Sequence, residues 1–226
     1  MAYKKYIDLY FKTFKFYYVT SNLMKNQVFI FVFTSMLIAM PTTLSAFAAS
    51  NNDFPTLKKA DVTTDKNSIM AILKAHDHIS TTGDQGAFGY GLLTKKGGTD
   101  AVIVTTTHKG VKDSEVQKDK NDPVWHNHFV SLAKDNQFCG GDLAVQSVTF
   151  EQPGDVTVQG QTAKLTDIPS KFTGTDALTN NKLTLNPGTN VNNVVSFELE
   201  PHFDDKGGLQ AVCVKDIKPA DQININ

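Results

Sequence analysis

Residues 101–108 read Ala-Val-Ile-Val-Thr-Thr-Thr-His, a short run dominated by β-branched side chains. Such residues favour extended strands, and comparable runs separated by clusters of Gly, Asn, Asp and Pro continue along the chain. The predicted strands are residues 87–94, 101–108, 124–132, 143–150, 155–158, 162–165, 182–185, 194–200 and 209–217. Their length and spacing predict a mainly β protein, built as an antiparallel β-sandwich or an open barrel.

A single N-terminal α-helix is predicted ahead of these strands. Residues 50–63 are interpreted as a polar lead-in, and the carboxylate of Asp65 is suited to cap a helix that ends near His76. The residues that share one helical face, at spacings of three, four and seven, are Ile69, Ile72, Leu73 and His76. This face is expected to pack against the β structure.

The beginning of the chain has the features of a secretory signal peptide. An apolar run at residues 28–40 follows Lys25, and a small-residue stretch with an Ala-x-Ala site at Ala46 and Ala48 comes after it. A positive flank, an apolar segment and a small-residue site are the three parts of a signal that directs export. The pattern therefore predicts a protein that leaves the cytoplasm.

The leader also sets the expected domain organisation. We expect residues 1–48 to be the leader, with Met24 as the true start, and residues 49–226 to form one exported β-rich domain. The alternative is an uncleaved N-terminal membrane anchor, because residues 28–49 are about long enough to span a bilayer. In both cases the domain is extracellular or at the cell surface, and a membrane is contacted only through the leader.

The composition narrows the range of partners. The whole chain has a net charge of −1 and the leader is rich in Lys, so the exported part is mildly acidic. The sequence contains no arginine, the residue whose planar fork binds phosphates and base edges. Nucleic acid is therefore not expected as a partner, and the sequence does not identify a protein partner.

The two cysteines are expected to form a disulfide. Cys139 and Cys213 are an even number in a chain predicted to be exported, where disulfides persist. A bridge between them closes a loop long enough to contribute roughly 4 kcal/mol in the chain-entropy model. The alternative role, as a thiolate metal ligand or a nucleophile, requires protection from oxidation outside the cell.

The histidines form the only pattern that points to a specific activity. His126-Asn-His128 lies in a predicted strand, where side chains at i and i+2 point to the same face. Two such imidazoles can form half of a copper or zinc site. The predicted metal ligands are His126, His128, His202 and His108.

Other interpretations of these residues stay open. Glu198 and Glu200 are carboxylate alternatives to His202 as ligands. A histidine is also commonly an ordinary hydrogen-bonded residue of the surface or core, and that interpretation is preferred for His76 on the packed face of the helix. Whether His126 and His128 meet His108 or His202 depends on the strand order, which the sequence does not give.

The arrangement resembles part of a known family. His126-Asn-His128 followed by Cys139, with Cys213 near the end of an exported β chain, is similar to the layout of copper-zinc superoxide dismutases. The resemblance implies a Greek-key barrel with copper held partly by the His-x-His pair, beside an intrachain disulfide. The chain lacks the bridging histidine, the zinc-binding cluster and the active-site arginine of that family, so dismutase activity is not implied.

Three functions follow from these observations. The leading one is non-catalytic binding of copper or zinc by an exported β-rich protein. The second is a cell-surface structural or interaction module in which the histidines bind no metal. The third is a metal-assisted hydrolase in which Glu198 or Glu200 acts as the base beside an open ligand position.

Overall fold

Thirteen β-strands form in residues 54–226, the part of the chain that this computed structural model describes. The strands are β1 (Leu57–Thr64), β2 (Ser68–Ala75), β3 (Phe88–Thr94), β4 (Val102–Thr107), β5 (His126–Lys134), β6 (Leu143–Val148), β7 (Asp155–Gln159), β8 (Thr162–Pro169), β9 (Phe172–Thr175), β10 (Lys182–Leu185), β11 (Val191–Phe203), β12 (Leu209–Pro219) and β13 (Gln222–Ile225). The prediction of a mainly β protein is confirmed. The predicted leader, residues 1–48, lies outside the described residues and stays a prediction. No helix within residues 54–226 is long and apolar enough to cross a membrane.

Six strands close into a barrel in the order β11-β12-β6-β5-β4-β3, and every pair of neighbours is antiparallel. The predicted open barrel is therefore closed, because the first part of β11, up to Glu198, pairs with β3 while its hairpin partner β12 pairs with β6. Most neighbours are also consecutive in sequence. The barrel thus follows a largely up-and-down path rather than the Greek key implied by the dismutase resemblance.

A five-stranded sheet, in the order β13-β1-β2-β8-β7, packs against the outside of the barrel. Its buried residues, such as Leu73 and Leu165, form one apolar core with Phe88, Tyr90 and Phe129 from the barrel wall. Strands β1 and β13 pair in parallel, and the other pairs of this sheet are antiparallel. The layers therefore bury the outer face of β3, β4 and β5.

The barrel interior is a second, separate apolar core. Its buried members are Val102, Val104, Val130, Val148, Val195, Phe197 and Val214. The Phe197 ring lies across β3 at Gly89, where an added Cβ would sit 2.9 Å from the ring and 2.5 Å from the Thr105 carbonyl oxygen. Glycine is required there because the strand and the ring approach so closely.

The helix predicted between Asp65 and His76 is wrong, because this segment is β2 and the turn before it. Ile69, Ala71, Leu73 and Ala75 are buried while Met70, Ile72 and Lys74 are exposed, which is the two-residue period of a strand. Asp65 does bind backbone N–H groups, those of Asn67 and Ser68 at 2.7 Å, but in a hairpin turn. Side-chain capping of this kind serves turns as well as helices, so it misled the prediction.

Three strands have no counterpart in the prediction. The supposed polar lead-in contains β1, whose Leu57, Ala60 and Val62 are buried. The short strands β9 and β13 were also missed. In β13 no residue is fully buried, so it carries little of the hydrophobic pattern on which a sequence-based prediction depends.

The disulfide between Cys139 and Cys213 is confirmed, with a Cα–Cα distance of 5.5 Å. It lies where β12 meets β6, a seam at which only Cys213↔Ala144 and Val214↔Leu143 are paired. Lys215 adds an ion pair with Asp142 at 2.6 Å beside the same seam. The covalent bond therefore reinforces the shortest pairing of the barrel.

The alternating burial of side chains in β2 can be tested directly by mutation. Leu73→Ala removes a fully buried side chain and should lower the free energy of unfolding by about 2–5 kcal/mol. Ile72→Ala removes a side chain that is 41% exposed and should cost roughly 1 kcal/mol or less. Urea unfolding followed by the fluorescence of Trp125, the only tryptophan, measures both. Equal costs would contradict the strand, since a helix buries both residues on one face.

Candidate metal centre

Three of the predicted histidine ligands meet at one end of the barrel interior. His126 and His128 begin β5, and their partners on β4 are Thr106 and Val104. His108 follows the last residue of β4, so the antiparallel pairing brings it beside the start of β5. All three imidazoles are buried, with side-chain exposures of 7% or less.

A fourth group comes from the loop between β4 and β5. Most of this loop, residues 109–123, is exposed, but the part around Ser114 and Gln117 turns inward and brings the Asp113 carboxylate to the histidines. Gln117, which is 1% exposed, holds the turn: its Oε1 accepts the N–H groups of Asp113 and Ser114 at 3.0 and 3.2 Å. The Gln117 amide also donates to the Val111 carbonyl at 3.3 Å. A buried glutamine thus positions the acid.

Asp113 was missed because its role depends on the path of the loop. Nothing in the run of mixed charges separates Asp113 from Asp119 or Asp122, and neither of those belongs to the group. The available signal was Gln117, a neutral side chain among charged ones whose amide can satisfy several backbone groups at a turn. Pattern alone does not show which way such a loop faces.

The donor atoms of the four side chains lie within 4.8 Å of one another. The Nε2 atom of His108 is 3.2 Å from His126 Nε2 and 3.2 Å from Asp113 Oδ2. Asp113 Oδ1 is 3.4 Å from His126 Nε2 and 3.5 Å from His128 Nε2. This group of His108, Asp113, His126 and His128 is called the His/Asp group below.

Backbone carbonyls fix the orientation of the two β5 imidazoles. His126 Nδ1 is 2.7 Å from the Val124 carbonyl oxygen, and His128 Nδ1 is 2.7 Å from the Thr149 carbonyl oxygen. A carbonyl only accepts, so each Nδ1 must carry the hydrogen and donate it. In the neutral ring the lone pair is then on Nε2, which points to the centre of the group. Metal-binding histidines are oriented in the same way.

The centre of the group is electrostatically unsatisfied. His128 Nε2 and Asp113 Oδ1 are buried without a hydrogen-bond partner, because their 3.5 Å contact is long and poorly aligned. With neutral His128, a nitrogen lone pair faces a carboxylate oxygen, and both groups are acceptors. Such an arrangement needs a cation or added protons at its centre.

The pKa values respond to burial and to the neighbouring charges. Burial lowers the pKa of His126, and the nearby Asp113 carboxylate only partly opposes this effect. Burial alone raises the pKa of Asp113, but its interactions with His128, His108 and His126 outweigh this effect and hold that pKa well below its ordinary value. The carboxylate is therefore ionised and ready to bind a cation.

His202 and the two glutamates are not brought to the His/Asp group. His202 Nε2 lies 3.7 Å from Glu200 Oε1, and its ring neighbours Phe138. Glu198 neighbours Asp216, whereas Phe197 and Leu199 line the barrel interior. Alternation along β11 therefore places both glutamates on the outer side, away from the predicted base position of a hydrolase.

The other His-x-His pair is at the surface. His76 contacts Asp221, with 2.8 Å between Nε2 and Oδ2, and its side chain is 43% exposed. His78 is exposed as well. The segment predicted as a helix is β2, which ends at Ala75, so His76 does not lie on a packed helix face.

Comparison of the chain with protein-family models, with curated proteins and with solved structures finds no match. The resemblance to copper-zinc superoxide dismutases is therefore limited to the His-x-His pair and the disulfide. The chemistry of the site has to be argued from the geometry of its own residues.

The carbonyl contacts predict the tautomers of the metal-free protein. At a pH about two units above the ordinary histidine pKa, His126 and His128 should both carry their hydrogen on Nδ1. Long-range ¹H–¹⁵N correlation spectra distinguish this tautomer from the Nε2–H form. The exposed His76, whose Nε2 meets a carboxylate, should favour the opposite tautomer and is the internal reference. An Nε2–H signal from His126 or His128 would contradict the assigned orientation.

Proposed function

We propose that this protein is an exported metal-binding protein that holds one divalent transition-metal ion, zinc or copper, through His108, Asp113, His126 and His128. The observation that carries the proposal is the unsatisfied centre, where His128 Nε2 and Asp113 Oδ1 face each other without partners. A cation between them accepts both lone pairs and neutralises the carboxylate. Imidazole and carboxylate are the ordinary ligands of such ions.

The spacing of the donor atoms supports a tetrahedral ion. Bonds of 2.0–2.1 Å to zinc place neighbouring donors about 3.3–3.4 Å apart in a tetrahedron. Four separations in the His/Asp group, two of them to Asp113 Oδ1 and one to Asp113 Oδ2, are 3.2–3.5 Å, and all the donor atoms lie within 4.8 Å of one another. Copper(II) generally binds a given set of nitrogen and oxygen ligands more tightly than zinc, so the metal available where the protein acts decides which ion is held.

Two observations support export. The leader predicted at residues 1–48 has the composition of a secretory signal. Cys139 and Cys213, the only cysteines, are joined in a disulfide, which persists in oxidising compartments. A buried nitrogen and oxygen site without thiolate ligands also suits such a compartment, because it holds its metal without a group that oxidises easily.

Calorimetric titration of zinc into chelator-treated protein tests the proposal. We expect one-to-one binding with a submicromolar dissociation constant, because the donors are already oriented. The double change His126→Ala and His128→Ala should weaken binding by at least about 100-fold, which exceeds the usual loss from a supporting residue. At a free zinc concentration of 1,000 times the dissociation constant, the free energy of unfolding should also rise by about 4 kcal/mol.

The chain provides a matched control for this titration. The double change His76→Ala and His78→Ala removes the exposed His-x-His pair and should leave zinc binding unchanged. Asp113→Ala should weaken binding, whereas His202→Ala should not. Weak binding by the unchanged protein, or tight binding that survives loss of His126 and His128, would refute the proposed site.

A second prediction concerns Gln117, which holds the loop that positions Asp113. Gln117→Ala removes the acceptor for the Asp113 and Ser114 N–H groups, so the loop should hold Asp113 less firmly. Zinc affinity should fall about 10- to 100-fold, as it does when residues that orient ligands are removed. The exposed Lys118→Ala in the same loop is the control. Unchanged affinity in both variants would show that Asp113 is not positioned by Gln117.

A further inference from the structure

An apolar cavity of about 130 Å³ lies inside the barrel and ends at the His/Asp group. Its wall is mostly apolar and consists largely of Val and Leu side chains, many of them on the barrel strands, such as Val104, Val130 and Val145, together with Phe197. His108, Asp113 and His128 also line it, whereas His126 does not. Three of the four proposed metal ligands are therefore open to the cavity.

The cavity also reaches the protein surface. Leu178 and Ile217 belong to its lining and are 41% and 47% exposed. Ile217 lies on β12 beyond the two positions at which that strand pairs with β6. We therefore place the entrance for a small molecule at these two exposed residues.

The apolar lining of the cavity determines which part of a bound molecule can occupy it, called the tail below. A dry cavity of 150 Å³ lined by aliphatic and aromatic residues holds benzene, so this one, at about 130 Å³, has room for roughly five or six heavy atoms. Polar groups on such a molecule would lose their hydrogen bonds to water along the apolar wall. The tail must therefore be a short hydrocarbon.

The His/Asp group determines the charge of the other end of the bound molecule, its head. A divalent ion with three neutral imidazoles and one carboxylate keeps a net charge of about +1, and zinc can expand to five ligands. The only other charged residue of the lining is Lys109, which is also positive and lies near Asp84. A monoanion is favoured at this end, and a carboxylate is a common zinc ligand.

We infer that the barrel binds a short monocarboxylate of about five to seven carbon atoms, with its tail in the cavity and its carboxylate on the metal held by the His/Asp group. This inference rests on the proposed metal site. It adds a ligand class that the metal site alone does not imply, because the selection of the tail comes from the barrel interior. The geometry assigns binding and no chemical step.

Cobalt(II) provides a spectroscopic test, because its visible absorption changes when a tetrahedral ion gains a fifth ligand. Sodium hexanoate added to the cobalt-loaded protein should change this spectrum saturably. Hexan-1-ol, with the same tail and a neutral head, should not reproduce the change. Acetate should bind on the order of 100-fold more weakly, since each buried methylene contributes about fourfold in affinity.

The affinities of a series of carboxylates with longer and longer hydrocarbon tails test the inference without any variant of the protein. Affinity should rise from acetate to hexanoate and stop rising beyond about seven carbons, when the cavity is full. Val145→Phe, which fills part of the cavity from β6, should weaken hexanoate binding at least tenfold while the cobalt spectrum without ligand stays unchanged. If that variant does not fold, the length series still decides.

The outcomes separate this inference from the proposed function. If the protein binds no cobalt or zinc, the metal site itself is refuted. If cobalt binds but hexanoate leaves its spectrum unchanged, the carboxylate inference is wrong while the metal site stands. Equal affinity of hexanoate for the metal-free and metal-loaded protein, or for acetate and hexanoate, would also overturn the inference.

Discussion

Burial of both faces of β3, β4 and β5 is the constraint on which this structure depends. The outer faces of these strands meet the five-stranded sheet, and the inner faces line the barrel. Polar side chains on β4 and β5 are consequently removed from water and must find partners within the protein. The histidines lie on the inner face, so their chemistry is decided by the few groups that reach the end of the barrel.

The polar contacts of this region show how that demand is met. The Nδ1 atoms of His126 and His128 donate to backbone carbonyls, and Gln117 satisfies the N–H groups of the loop that carries Asp113. These contacts leave the Nε2 lone pairs and one carboxylate oxygen at the centre. The Nδ1 atoms of the two histidines and the N–H groups of the loop are therefore satisfied, whereas Asp113 Oδ1 and His128 Nε2 at the centre are not, which is the reason to propose a cation there.

The sequence predicted much of the barrel because its strands are marked by β-branched runs and clear turns. It also predicted that His126 and His128 lie side by side on one face of β5, because side chains alternate along a strand. It did not give Asp113, whose position depends on the path of a charged loop. It gave His202 too much weight, because strand order decides which histidines meet. The false helix had a similar cause: Ile69 and Leu73 fit both a helical and an alternating pattern.

Two parts of the barrel lie at different distances from the seam between β6 and β12. The His/Asp group is built from the end of β4, the start of β5 and the loop that joins them, whereas β5 reaches the seam only at its far end, where Ala133 and Lys134 pair with Ala144 and Leu143. The apolar cavity, by contrast, is lined at the seam itself, by Leu143 and Val145 of β6 and by Val212 and Val214 of β12. These two strands pair at only two positions, next to the Cys139–Cys213 bond. Reduction of this disulfide should therefore loosen the wall of the cavity more than it disturbs the arrangement of the His/Asp group.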